Sequence, residues 1–298
     1  MSDSEVPPAP ADTTAGGRLF LVATPIGNLE DISFRGIRTL KEAGLIACED
    51  TRRTQILLDH YSIRTRVISY HEHNEMTRAP ELILRMEEGT QLALVSDAGT
   101  PLISDPGYRL VRLAIRHGVP VVPIPGVSAL VATLAVSGLA PEPFRFLGFL
   151  PGKRHLRLSQ LRELAGAQET LVFYESPHRI SETLEDVQQT FGERQVVIGR
   201  EVTKMHEEFL RGTASEVVAL LKKKPPKGEM TVVIGPPEPA SPQVRSAASP
   251  ARSIRKQMKD LMASSELSER EALKALAKSS GISRSELYRR WQVEKSSK

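Results

Sequence analysis

The stretch "QLALVSDAGTPLISDPGYRLVRLAIRHGVPVVPI" (Gln91 to Ile124) holds an apolar run, a loop of small residues, an amphipathic segment and a second apolar run. Two strand-length runs joined through a helical segment predict a parallel βα unit, because parallel neighbours need a long crossover and a helix supplies it. The loop writes Ser-Asp-x-Gly twice, at Ser96 to Gly99 and at Ser104 to Gly107, with Pro101 between. An ordinary turn needs less. Asp97 is expected just beyond a strand end, where a carboxylate can accept hydrogen bonds from ribose hydroxyls or an amino group. Gly99 there lets a flat group approach the backbone. The second copy reads differently, with Asp105 as the N-cap of a helix whose first residue is Pro106.

Outward from this unit the same alternation continues. "RLFLVAT", "LIAC" and "RVISY" read as strands, and "SFRGIRTLKEA", "TRRTQILLDHY", "APELILRMEE" and "SALVATLAVSG" as helices. The class is α/β, built on a parallel sheet. Ligands of such sheets lie outside the carboxyl ends of the strands. Three further loops fall there: "TPIGN" (24–28), "CEDTRRT" (48–54) and "PGVSA" (125–129). "TPIGN" presents backbone amides at a helix start but is not GxGxxG, and a Walker A sequence is absent, so dinucleotide and triphosphate sites are poorly supported. Small-residue loops at one rim describe a pocket for a nucleoside-like cofactor without a pyrophosphate, and S-adenosylmethionine fits that outline.

The first α/β domain is expected over 18–140. "APEPFRFLGFLPGKR" then marks a junction, and a second α/β domain over 141–235 carries strands at "FRFLGF", "TLVFYE", "QVVIGRE", "EEFLRG" and "EMTVVIG", with one helix at "ASEVVALLKKK". Residues 1–17 read as a disordered tail and 236–250 as a Pro/Ser/Ala linker. Residues 251–298 form a small basic module of two amphipathic helices around Gly281, either a helical hairpin or a helix-turn-helix-like reader. Net charge is +4, yet from Pro250 onward 12 Lys and Arg face 6 Asp and Glu, so the body is close to neutral. A basic appendage suggests a polyanionic partner. The start has no secretory pattern, no run is long enough for a bilayer crossing, and the one cysteine, Cys48, reads as a buried strand residue; a cytoplasmic location is expected.

The ordered set "VATPIGNLEDIS", "CEDTRRT", "SYHEHNE", "SDAGTPLISDPG", "PGVSA", "FLPGKR", "FYESPHR", "GREVTKMHEE" and "GEMTVVI" closely resembles the bacterial ribosomal RNA small-subunit methyltransferase I family of the tetrapyrrole methylase superfamily. The resemblance runs from about Arg18 to Pro236. It implies a two-domain tetrapyrrole-methylase-like fold: an N-terminal parallel sheet with helices on both faces, a second mixed α/β domain, and a small helical C-terminal module. It implies a homodimer that binds S-adenosylmethionine between the domains and methylates the ribose 2′-hydroxyl of a cytidine in the decoding region of 16S ribosomal RNA. Carried onto this chain, the cofactor meets Pro25, Ile26 and Gly27, then Asp97, Ala98 and Gly99, then Ser128 and Ala129, with Met230 near the adenine.

A sulfonium donor already carries an activated methyl, so the enzyme's tasks are to align the ribose oxygen and to dispose of its proton. Candidate proton acceptors are Glu49 and Asp50, with Arg52 and Arg53 placed to hold phosphate or keep the carboxylates ionised. Asp50 is equally placed to cap the helix from Thr51. Glu175 and His178 in "FYESPHR" are the second pair, with Tyr174 as a stacking face and Arg179 as a phosphate contact. Lys153, Arg154, Arg200 and Lys204 add candidate RNA contacts, which would set affinity rather than sequence preference. His71 and His73 have a spacing that can bind metal but no clear third ligand, so no metal is expected. Two alternatives share parts of this reading: a tetrapyrrole carbon methyltransferase, and a ligand-sensing DNA-binding regulator that reads with its C-terminal helices.

Overall fold

The computed structural model describes residues 16–223 and 226–237, and beyond them 258, 262, 268–280, 287–289, 291 and 292. Residues 1–15 of the expected tail, 238–250 of the expected linker and Gly281 lie outside the described residues. Two compact units divide between Glu238 and Pro239.

In the first unit, strands β1 (Leu19–Val22), β2 (Leu45–Cys48), β3 (Val67–Ser69), β4 (Leu92–Val95) and β5 (Val121–Ile124) form a wholly parallel sheet in the order β3-β2-β4-β1-β5. Every residue of β2 and β4 is buried, as expected of strands covered on both faces. Pro123 is tolerated because β5 is an edge strand, where a missing N–H breaks no ladder.

Connections moving one way along the sheet carry α1 (Phe34–Glu42) and α2 (Thr51–His60), and those moving back carry α3 (Glu75–Glu87) and α4 (Tyr108–Arg116). Right-handed crossovers then place the two pairs on opposite faces. Leu40, Leu57 and Leu58 pack in one core with Val22 and Ile46, while Leu82, Ile83, Met86, Leu110 and Ala114 pack in another with Leu19 and Leu92. The chain leaves β1 and its neighbour β4 toward different faces, which opens a crevice at their carboxyl ends.

Two helix starts differ from expectation. Helix α3 begins at Glu75 instead of near Pro80, because Asn74 organises the preceding turn: its Oδ1 accepts from the His71 amide at 2.9 Å and its Nδ2 donates to the Ser69 carbonyl at 3.2 Å. Helix α4 begins at Tyr108 after Gly107, so Asp105 does not cap it. The chain from Gly99 to Gly107 instead winds through left-handed conformations at Gly99, Leu102, Ser104 and Gly107.

Helix α5 (Ala129–Val136) follows β5 and packs on a second sheet, where Leu130 and Leu134 meet Val172, Val197 and Val233. That sheet holds β6 (Phe144–Phe149), β7 (Thr170–Glu175), β8 (Gln195–Arg200), β9 (Glu208–Thr213) and β10 (Met230–Ile234), in the order β6-β7-β10-β8-β9. Only β6 and β7 are parallel to each other. Its other face carries α6 (Arg154–Glu163), α7 (Ile180–Phe191) and α8 (Ala214–Lys223) around Leu161, Leu184 and Val217. The class is thus α/β with one parallel and one mixed sheet. Helix α6 is an addition to the helix expected at "ASEVVALLKKK", and α7 begins at Ile180, three residues after the helix start that Pro177 suggests.

In the second unit, helix α9 (Glu269–Ser280) opens with the glutamate half of a capping box, Ser268 Oγ and N both donating to Glu271 Oε2. Ala272, Leu273 and Leu276 pack with Met258, Leu287 and Trp291. Among the described residues no helix is long and apolar enough to cross a membrane.

Candidate functional site

The crevice between β1 and β4 opens into a cavity of about 370 Å³, walled on its far side by the ends of β7, β8 and β10. That size suits a small organic ligand. The first wall is the Ser96–Gly107 loop. Its Gly99 exchanges two backbone hydrogen bonds with Thr24, at 2.9 and 3.0 Å, and so ties the loop after β4 to the loop after β1. Thr24 Oγ1 donates to the Ser96 carbonyl and Ser96 Oγ to the Gly99 carbonyl, which fixes the bend internally. Left-handed φ at the non-glycine residues Leu102 and Ser104 costs energy that loops rarely carry without use.

Six acidic residues line this space: Glu49, Asp97, Asp105, Glu175, Glu201 and Glu229. Their environments separate them. Asp97 accepts the Asp50 amide at 3.0 Å and lies 3.4 Å from Arg53, so it is held in place from the neighbouring loop. Burial pushes the Glu49 carboxyl above its ordinary value, and the nearby Asp97 charge adds to the effect. Burial also pushes the half-buried Asp105 up to about 7, helped by the Glu49 and Asp97 carboxylates. Asp105 is thus a group poised near neutrality that the sequence presents only as a cap. Asp50 caps α2 through the Arg52 amide and takes a two-pronged ion pair from the Arg52 side chain, which holds it down at about 2. A carboxylate so stabilised is a weak proton acceptor.

Glu175 is buried and fully engaged. Its Oε1 accepts from the Ser176 amide and from Arg179 Nε and Nη2 at 2.8, 3.0 and 2.7 Å, and its Oε2 accepts from Thr183 Oγ1 at 2.8 Å. Arg179 Nη2 also reaches the Leu150 carbonyl, tying the end of β7 to the loop before α6. Arg179→Ala leaves that buried charge without its cation and is expected to destabilise the fold by about 3 kcal/mol, measured by denaturant unfolding. His178 is exposed on the adjoining turn and is not part of the cavity wall.

Of the expected cofactor contacts, Ile26, Asp97, Ala98, Gly99, Ser128, Ala129 and Met230 line the one cavity. Pro25 lines a smaller pocket beside it, and Gly27 lies where a Cβ would meet the Lys204 side chain. Lys204 in turn pairs with Glu201 at 3.0 Å and Glu229 at 3.4 Å, so one side chain links the loop after β1 to the second sheet. The other expected RNA contacts are dispersed. Arg52 and Lys153 are exposed, Arg154 pairs with Asp186, Arg200 with Glu208, and Tyr174 is half-buried in the cavity wall. His71 and His73 sit after β3, and among the described residues no metal-binding group of three forms.

Comparison with known proteins agrees with this arrangement. The family model described as Tetrapyrrole (Corrin/Porphyrin) Methylases matches residues 18–218. A uroporphyrin-III C-methyltransferase from Thermus thermophilus shares the fold at a TM-score of 0.53 and 19% identity, over 74% of this chain and 94% of that one. The ribosomal RNA small subunit methyltransferase I of Halalkalibacterium halodurans is 54% identical over 73% of this chain and 75% of its own length. Its counterpart from Streptococcus pyogenes serotype M1 is 42% identical over 94% and 96%. With such relatives along nearly its whole length, the chain is a methyltransferase and belongs to the ribosomal RNA small subunit methyltransferase I family of the tetrapyrrole methylases.

Proposed function

We propose that this chain uses S-adenosylmethionine to methylate the ribose 2′-hydroxyl of a cytidine in the decoding region of 16S ribosomal RNA, acting as a cytoplasmic homodimer. The observation that carries the reading is the meeting of Asp97, Ala98, Gly99, Ser128, Ala129 and Met230 around one cavity in a member of this family. These residues fit the donor. Ile26, Ala129 and the buried Met230 offer an apolar slot for a flat base, Asp97 offers fixed acceptor oxygens for sugar hydroxyls, and the left-handed Gly99 keeps the backbone open beside them. When bound, the donor supplies a methyl on a positively charged sulfur.

What the chain itself contributes is orientation and a proton acceptor. The Thr24–Gly99 tie and the Asp97–Asp50 bond hold the rim rigid, and orientation of this kind can supply roughly 7 to 11 kcal/mol. Asp105, with Glu49 beside it, is the carboxylate best matched to accept the hydroxyl proton at neutral pH. Neither alternative reading gains from these findings. A tetrapyrrole enzyme shares the fold at 19% identity, but the relatives at 54% and 42% identity are named as ribosomal RNA methyltransferases, and a DNA-binding regulator gives no reason for the rim loops.

The test is transfer of labelled methyl to small ribosomal subunits lacking the mark. Label is expected on the RNA, at a linkage that resists alkaline cleavage because the 2′-oxygen is blocked. No label on subunits or on naked RNA would refute the reading.

A further inference from the structure

Strand β6 pairs with β7 in regular register through Phe144, Arg145 and Phe146, opposite Thr170, Leu171 and Val172; the register then shifts, so that Phe149 stands opposite Tyr174. Three steps on β6 match two on β7, which is a bulge. Gly148 inside it has φ +64°, a conformation that glycine adopts without strain.

Strict alternation would turn Phe149 to the face of Leu147, which packs against the core under α6, α7 and α8. The extra residue turns it over. Phe146 and Phe149 both pack on Tyr174, with ring centroids 5.1 and 5.6 Å away. Phe149 is thereby withdrawn from the core, lines the cavity, and remains 56% exposed. Bulges are over-represented beside active sites, where they re-aim a side chain.

The bulge also abuts the loop that carries Asp105, since a Cβ on Gly148 would stand 3.6 Å from Ser104 Oγ. The aromatic face therefore lies at the open side of the cavity, next to the candidate proton acceptor. Met230 forms the buried apolar wall deeper in.

We infer that Phe149, backed by Tyr174, is the platform on which the base of the target nucleotide stacks while its ribose hydroxyl is turned toward the Asp105 loop. The inference rests on the proposal of an RNA substrate and adds the residue that receives it. Proteins take single-stranded bases on exposed aromatic faces, because every base has a π-face once it is unstacked. The half-buried Tyr174 supports this platform from behind.

The test uses the full chain, unmarked small ribosomal subunits as acceptor, and two variants, Phe149→Leu and Phe149→Tyr. Phe149→Leu is expected to raise the KM for subunits by about 5- to 150-fold, the range that one base–aromatic stack accounts for. Donor binding measured by calorimetry should stay unchanged, and Phe149→Tyr should restore the KM. An unchanged KM in Phe149→Leu, a loss of donor binding in its place, or a tyrosine variant as poor as the leucine one overturns the proposal while methyl transfer itself stands. Failure of the wild-type chain to label any subunit would overturn the RNA reading and this proposal with it.

Discussion

Gly99→Val is expected to reduce methyl transfer by at least about 10²-fold and to abolish measurable donor binding, because it attacks the rim where all the small-residue loops meet. Gly99 stands at φ +84°, where a β-branched residue is a genuine outlier. It cannot simply relax to a right-handed conformation, since its N–H and C=O are both committed to Thr24. A Cβ there would lie 3.4 Å from the Ile26 side chain and 3.6 Å from the Val127 carbonyl, so the added methyls would press on the loops after β1 and β5. Calorimetry with S-adenosylmethionine checks the binding loss. Gly118→Ala is the control: that glycine is also left-handed, has open space around it, and lies in the α4–β5 turn at the opposite end of the strands. It should lose some stability and keep donor binding.

The rim was legible in the sequence because its signals are local. "SDAGTP" follows an apolar run, "TPIGN" follows another, and small residues beside strand ends describe a crevice once the sheet is parallel. What escaped reading depends on contacts between distant segments. Helix α6 hides its periodicity because a charged side chain stands on its buried face: Arg157 meets Asp186 of α7 at 2.8 Å, nearly without exposure, where an apolar residue would announce a stripe, whereas α7 keeps one in Ile180, Leu184 and Val187. Thr183 adds another polar side chain to the same buried face, bound to Glu175. "FYESPHR" looked like a reactive cluster, but Glu175 spends its acceptor capacity on holding its own loop together. The bulge that turns Phe149 over leaves no mark in β6 beyond one glycine.

Asp105 is the sharpest case of a role set by surroundings. Ser-Asp-Pro-Gly before an amphipathic segment spells a helix start, and the local chemistry supports that reading. The helix instead waits until Tyr108, and the freed carboxyl is enclosed with Glu49 from the loop after β2 and Asp97 from its own loop. No local pattern could disclose this, since the burial that chiefly shifts the group, and the Glu49 charge that adds to it, arise only when distant segments meet.

Asp105→Asn is therefore expected to act in opposite directions on activity and stability. Transfer should fall by about 10²- to 10⁴-fold, the usual contribution of a positioned base. In the wild-type chain the rate should rise with pH up to about 7 and then level off, as the Asp105 carboxylate forms; in the variant that rise should disappear. Stability follows from the same shift. The folded-state value of about 7 lies above the ordinary 3.8, so between these values the folded chain binds the proton more readily than the unfolded chain. Stability that is present below pH 4 is consequently lost as pH rises toward 7, because folding must then either keep the proton or enclose a charge. Asparagine carries no charge to enclose. Asp105→Asn should thus melt higher than wild type at pH 8, and the gap should close on acidification toward pH 4. A variant that loses activity but shows no pH-dependent gain in melting temperature would place the neutral-range titration on another group, with Glu49→Gln the next to measure. The trade is physically reasonable: a carboxyl kept ready to accept a proton is one the fold would be more stable without.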